Sequence, residues 1–267
     1  MSTTSIAIGQ FYPGTSWLHR LDPRSKLIFV FLYVIFIFFA NNTLSLLWMG
    51  GLAIGALLLS RIPLSVVFRG MKAVFWLLLL LAMMHLLLTQ EGAVVFQWGW
   101  FTVYEEGARQ AGLVTVRLFF LILFSSLLTY TTRPMDLTFG LEKLLSPLKR
   151  LRVPVGELSL MMSIALRFIP TLLEETDKIK KAQMARGADF ESRNLASRIR
   201  SLLPLLVPLF VSSFQRAEEL ALAMEARGYR GEEGRTRFRQ LSMGTVDWLL
   251  LLAAVPFYVT LLFLRAW

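Results

Sequence analysis

Five stretches of the chain stay apolar too long and on too many sides for a half-buried strand or a one-sided surface helix: residues 27–40, 44–59, 74–88, 113–132 and 248–264. A helix crossing a hydrocarbon core of about 30 Å needs roughly 20 apolar residues, with a lower limit near 17. The first two runs are short by that measure. They imply local bilayer thinning or snorkelling of Lys26 and Arg61, with a re-entrant pair as the alternative. The pattern predicts an all-α, polytopic membrane protein with about five transmembrane helices. Between the third and fourth runs, residues 90–106 alternate aromatic and polar positions, including Phe96, Gln97, Trp98, Thr102 and Tyr104. That alternation suits a small external hairpin or an aromatic interface anchor.

Two further stretches, residues 155–173 and 202–214, compete as spans. Counting them would place Glu157 and Arg167 in hydrocarbon, at about 2.5–3.5 kcal/mol for the arginine near the centre. It would also put Lys178, Lys180, Lys181, Arg186, Arg193, Arg198 and Arg200 on the outside, against the rule that basic loops stay inside. The second stretch is short and holds Pro204 and Pro208. Both are therefore expected to be amphipathic helices at the membrane face.

The same rule orients the chain. Residues 89–107 and the turn Asn41-Asn42 lack lysine and arginine, whereas segments 1–26, 61–72 and 133–245 hold nearly all of them. The N-terminus is thus expected inside and the C-terminus outside. Residues 1–26 have no early apolar core, so they do not read as a cleaved signal. The expected organisation is residues 1–132 as an N-terminal segment with four spans, 133–245 as a cytoplasmic section of long amphipathic helices, and 246–267 as the last span.

Composition agrees. Of 267 residues 55% are hydrophobic, with a net charge of +10, and the mean hydropathy is +0.58. The basic residues lie between apolar runs rather than in a soluble basic domain, so anionic lipid or a protein is the expected partner and nucleic acid is not. There is no cysteine, and the two histidines, His19 and His85, fall on different segments. No phosphate-binding glycine loop, H-E-x-x-H, G-x-S-x-G or intramembrane carboxylate pair occurs, so neither enzymatic activity nor a bound cofactor is expected. Arg117 stands inside the fourth run, free to snorkel, to pair with Glu105 or Glu106, or to face another helix.

The section 133–245 carries a repeat. Two long helical stretches end in Ala182-Gln183-Met184-Ala185-Arg186-Gly187 and Ala223-Met224-Glu225-Ala226-Arg227-Gly228. Each reads A-x-x-A-R-G. The alanines leave a low helix face, the glycine can take positive φ and stop the helix, and the arginine sits where the helix dipole favours a cation. One Arg-Gly ending is a common helix stop. Two in one section favour docking, because a guanidinium at a helix tip can enter a groove and fork onto a carboxylate. The helices leading to these endings carry Leu158, Met161, Met162, Ala165, Leu166 and Ile169, then Phe214, Ala217, Leu220 and Met224. Pro170 is expected to bend the first, Pro204 and Pro208 to kink or break the second, and Glu174 to support the first by pairing with Lys178.

These residues resemble the transmembrane coupling subunit of energy-coupling factor transporters. The likeness rests on Leu18-His19-Arg20-Leu21-Asp22-Pro23-Arg24-Ser25-Lys26-Leu27, on Val153-Pro154-Val155-Gly156-Glu157 and Arg167-Phe168-Ile169-Pro170-Thr171-Leu172, and above all on the two Ala-Arg-Gly endings. The resemblance implies a non-catalytic subunit of an importer in a bacterial cell membrane, serving vitamin or micronutrient uptake. Two ABC-type ATPase subunits would dock at Ala185, Arg186, Gly187 and at Ala226, Arg227, Gly228. A small membrane-embedded S component, which captures the substrate, would ride on Leu158, Met161, Met162, Ala165, Ile169, Phe210, Phe214 and Leu220. The rival readings are a stand-alone carrier, a membrane-embedded enzyme, for which Glu157, Asp189 and Glu191 form no recognisable constellation, and a membrane scaffold or receptor without transport.

Overall fold

The computed structural model describes residues 11–98, 101–188, 190, 195–231 and 242–265. In chain order the elements are α1 (Trp17–Arg20), α2 (Pro23–Ile37), α3 (Thr43–Ser60), α4 (Leu64–Leu88), β1 (Val94–Trp98), β2 (Phe101–Tyr104), α5 (Glu105–Thr131), α6 (Pro134–Leu145), a 3-10 turn (Ser146–Leu151), α7 (Val155–Ala185), α8 (Leu195–Ala226) and α9 (Thr245–Arg265). They form two compact units, Met1–Leu144 with Leu241–Trp267, and Leu145–Gln240.

Helix starts in the first unit follow local chemistry. Asp22 caps α2 by accepting the Arg24 N–H at 2.8 Å, and Pro23 occupies the first turn, where its missing N–H costs nothing. Glu105 and Glu106 begin α5, where the helix dipole favours anions. Helices α2, α3, α5 and α9 share one apolar core in which Tyr33, Ile37, Met49 and Leu261 are fully buried. Tyr33 stacks on Phe124 at 4.0 Å, and Phe36 stacks on Tyr258 at 4.2 Å. The Tyr33 hydroxyl donates to the Met49 carbonyl at 3.3 Å, so the ring is buried without orphaning its polar end. A Cβ on Gly50 would lie 2.5 Å from the Phe120 ring, which is how closely α3 and α5 approach.

Among the described residues four helices are long and apolar enough to cross a membrane: α3, α5, α7 and α9. The two limbs of α4, Leu64–Lys72 and Val74–Leu88, meet at 57° and add a fifth if they form one broken span. The molecule is thus an all-α polytopic membrane protein, with two differences from expectation. The first apolar run is the 15-residue helix α2, about 22 Å long at 1.5 Å per residue and short of a full crossing. Conversely α7, expected at the membrane face, passes on length and apolarity, because Glu157 and Arg167 alone interrupt its first half. The alternating segment is the expected hairpin: β1 and β2 pair antiparallel, Val94 opposite Tyr104 and Trp98 opposite Phe101, with an irregularity between Val94 and Phe96.

Distant polar groups close the basic end of this unit. The buried carboxylate of Asp247, 5% exposed, accepts from the Asp22 N–H at 3.0 Å, the Ser25 hydroxyl at 2.6 Å and the Gly244 N–H at 2.9 Å. Lys26 donates to the Thr131 carbonyl and the Thr132 hydroxyl, each at 3.1 Å. The start of α2 is thereby tied to the start of α9 and the end of α5. Further out, the Tyr12 N–H donates to the Tyr130 carbonyl at 3.0 Å, and the His19 ring bonds Ser16 Oγ at 2.6 Å and the Tyr12 carbonyl at 3.0 Å. At the other end Arg117 resolves among its alternatives: Nη2 donates to the Ala40 carbonyl at 2.7 Å, beyond the end of α2, rather than to Glu105 or Glu106. α6 lies against the beginning of α2, where a Cβ on Gly140 would come within 3.1 Å of Pro23.

Candidate coupling surface

The second unit is built on α7 and α8. Pro170 lies within α7, and Pro204 and Pro208 lie within α8, yet neither helix is interrupted. A proline at 208 has no N–H for the carbonyl of residue 204. The Gln183 side-chain amide of α7 donates to that freed Pro204 carbonyl at 3.3 Å. Lower down, Glu175 accepts from the Ser212 hydroxyl at 2.6 Å and from Arg216 at 2.7 Å. Ser212 and then Arg216 hold the Glu175 carboxyl below its ordinary range. Among the described residues Glu174 and Lys178 form no ion pair; the neighbouring Glu175 bonds across to α8 instead. Phe168, Ile169 and Leu172 face Ala217, Leu220 and Met224 across a cleft of about 480 Å³.

These contacts fix direction. Position 183 meets 204 and position 175 meets 212, so partner numbers fall on one helix as they rise on the other. The helices are antiparallel, and the two Ala-Arg-Gly endings lie at opposite ends of the pair. At 1.5 Å per residue the endings are about 40 Å apart.

Both endings adopt one hydrogen-bonded stop. In the first, Gly187 takes φ +87°, its N–H donates to the Met184 carbonyl at 3.0 Å, and the Ala188 N–H donates to the Gln183 carbonyl at 3.0 Å. In the second, Gly228 takes φ +74°, its N–H donates to the Glu225 carbonyl at 2.8 Å, and the Tyr229 N–H donates to the Met224 carbonyl at 3.0 Å. This double bond pattern is the Schellman motif, and it answers carbonyls that every helix end leaves open. No heavy atom lies within 4 Å of the Cβ position at either glycine, so backbone conformation, not space, requires glycine there. Ala185, Arg186, Gly187, Ala226, Arg227 and Gly228 are all exposed. Among the described residues neither Arg186 nor Arg227 has a hydrogen-bond or ion-pair partner for its guanidinium. Each tip therefore presents a positive fork, flanked by small residues, to whatever approaches.

The expected apolar contact residues divide. Leu158, Met161 and Met162 on α7 and Phe210 and Phe214 on α8 are exposed, with Phe214 at 69%. Ala165 is exposed as well, while Ile169 and Leu220 are half-buried in the interhelical cleft. On α8 the exposed positions Leu203, Val207, Phe210 and Phe214 follow the alternating four- and three-residue spacing of one helix stripe. Gln183, Glu175, Ser212 and Arg216 were not singled out by sequence. Only the four-residue separation of Pro204 and Pro208 hinted that a carbonyl on α8 needs an outside donor. Among the described residues no group of three His, Cys, Asp or Glu side chains could hold a metal ion.

The fold defines a helical, polytopic membrane protein, and a family model described as "Cobalt transport protein" (CbiQ) matches residues 14–238. The energy-coupling factor transporter transmembrane protein of Bacillus subtilis is 52% identical over 98% of this chain and 99% of its own length. Its counterpart in Brevibacillus brevis is 56% identical over 94% of this chain and 95% of its own. That of Acidaminococcus fermentans is 49% identical over 98% of this chain and 97% of its own. The chain belongs to this family, the energy-coupling factor transporter transmembrane (EcfT) proteins.

Proposed function

We propose that this transmembrane component carries motion from two ATPase subunits to a separate substrate-binding membrane protein, in a bacterial cell membrane and in the service of vitamin or micronutrient uptake. Arg186 docks one ATPase and Arg227 the other, each guanidinium forking onto acceptors in a groove of its partner. Ala185 and Gly187, and Ala226 and Gly228, leave room for close approach. The exposed row of Leu158, Met161, Met162, Ala165, Phe210 and Phe214 carries the S component, with Ile169 and Leu220 supporting it from the cleft. The chain itself performs no hydrolysis. Its N-terminus and the section around α7 and α8 face the cytoplasm, in keeping with their basic charge.

One observation carries the proposal: two identical Schellman endings, each presenting an arginine with no partner among the described residues, stand about 40 Å apart at opposite ends of one antiparallel helix pair. Two like partners side by side present two like grooves, and a rigid rod with like tips meets both. Gln183 and Glu175 contribute by bonding α7 to α8, so a push on one tip moves the pair.

The test is co-purification of the ATPase chains with Arg186→Glu, Arg227→Glu and the double variant, alongside substrate uptake by cells. Losing one side of a buried charge pair costs about 2–5 kcal/mol, so each single variant should shed ATPase and the double variant should retain none. Full ATPase retention and normal uptake by the double variant would remove the docking role.

A further inference from the structure

The first unit contains an apolar groove of about 280 Å³ unrelated to the α7 and α8 tips. Phe29 and Val30 of α2, Leu52 and Ala56 of α3, and Phe124 and Leu127 of α5 line it, and nearly all of its surface is carbon. It follows α3 from Leu59 to Leu52, about two helical turns or 10 Å. The polar groups at its mouth are already engaged: Lys26 with Thr131 and Thr132, and Ser25 with Asp247.

A second cleft, of about 440 Å³, adjoins it and shares Trp17 and Leu59 with it. Arg20, in the last turn of α1, and Arg61, at the end of α3, line this second cleft. Both are exposed, and among the described residues neither guanidinium has an ion-pair or hydrogen-bond partner. Arg61 also holds φ +54°, a left-handed conformation uncommon for a residue other than glycine, asparagine or aspartate. Trp17, 48% exposed at the junction, has the amphipathic ring typical of the membrane interface.

We infer that the two clefts form one binding site for an anionic phospholipid, with the phosphate between Arg20 and Arg61 and part of an acyl chain along the groove beside Gly55. Charge complementarity and the step from a paired-cation cleft to a carbon-lined slot within a membrane-spanning unit select this occupant. An apolar peptide matches the slot but gives no use to Arg20 and Arg61 in the adjoining cleft, whose guanidiniums have no partner among the described residues. The site does not depend on ATPase docking at Arg186 and Arg227.

Gly55 provides a clean probe. It lines the groove, and no heavy atom lies within 4 Å of its Cβ position, so the base of a side chain added there meets open space beside the slot. The experiment is native mass spectrometry of the full chain, purified in mild detergent and incubated with phosphatidylglycerol or with phosphatidylcholine of identical acyl chains. Phosphatidylglycerol should be retained about tenfold or more over phosphatidylcholine, as expected of two guanidiniums near one anionic headgroup. Arg20→Gln with Arg61→Gln should abolish that preference, whereas Arg150→Gln, on the 3-10 turn, should leave it unchanged. Gly55→Phe should lower retention of both lipids without lowering the melting temperature. Equal retention of the two lipids by the parent chain, or a preference that survives the double variant, overturns the site. So does a photo-crosslinker at position 55 that captures a partner protein instead of lipid in the assembled complex. Loss of ATPase docking in Arg186→Glu with lipid selectivity intact would separate failure of the one proposal from failure of the other.

Discussion

Gly187 holds φ at +87° with open space where a Cβ would stand, so a substitution there is opposed by backbone strain alone. An L-residue in the left-handed region pays about 1–2 kcal/mol, while asparagine tolerates it better. Gly187→Ala should therefore weaken the two bonds that close α7, from the Gly187 N–H to Met184 and from the Ala188 N–H to Gln183, both 3.0 Å. At about 1–2 kcal/mol the open tip becomes roughly 5–30 times more populated. Gly51 is the matched control: it too has nothing within 4 Å of its Cβ position, but it lies inside α3 without a positive φ. There the same change from glycine to alanine should stabilise by about 0.5–1 kcal/mol. The assay is amide hydrogen exchange, followed on peptides covering residues 184–188. Exchange should quicken strongly in Gly187→Ala, only slightly in Gly187→Asn, and not at all in Gly51→Ala. ATPase co-purification should fall in the same order, because a frayed tip no longer holds Arg186 in one direction. Unchanged exchange at residues 187 and 188 in Gly187→Ala would refute the claim that glycine is required there for conformation.

Asp247→Ala strips three donors, on Asp22, Ser25 and Gly244, of a buried acceptor. A thermal melt in detergent should show a loss of about 3 kcal/mol or more; a drop below about 1 kcal/mol would mean the network is not what ties α9 to α2. The Glu175 carboxyl is held low by Ser212 and Arg216, so its contribution to α7–α8 pairing is full above the unfolded value near 4.3 and is lost as pH falls through the lower folded value. Spin labels on the two helices should therefore report looser pairing under acid in the parent chain. Glu175→Gln should be looser already at pH 7 and lack the acid step. An acid step of equal size in both proteins would assign it to another group.

Much of this was written locally. Apolar runs announced α3, the second limb of α4, α5 and α9, because a span must be apolar along its own length. Alternation announced the β1–β2 hairpin. The A-x-x-A-R-G repeat announced both helix stops, since positive φ at Gly187 and Gly228 is a property of a few consecutive residues. Charge distribution and these endings were enough to point to the family.

What sequence left open depended on groups far apart in the chain meeting in space. The carboxylate of Asp247 meets Asp22 and Ser25 across more than two hundred positions, and nothing near residue 247 encodes that meeting. Arg117 could by position snorkel, pair with Glu105 or Glu106, or face another helix, and packing of α5 beside the end of α2 chose the Ala40 carbonyl. Pro204 and Pro208 looked like breaks in α8, yet the helix persists while Gln183 of α7 answers a carbonyl that the prolines free. Most consequential is the antiparallel pairing of α7 and α8. Each tip follows from local backbone preference, but their placement at opposite ends follows from which side chains interlock between the helices, and interlocking is a property of the folded pair.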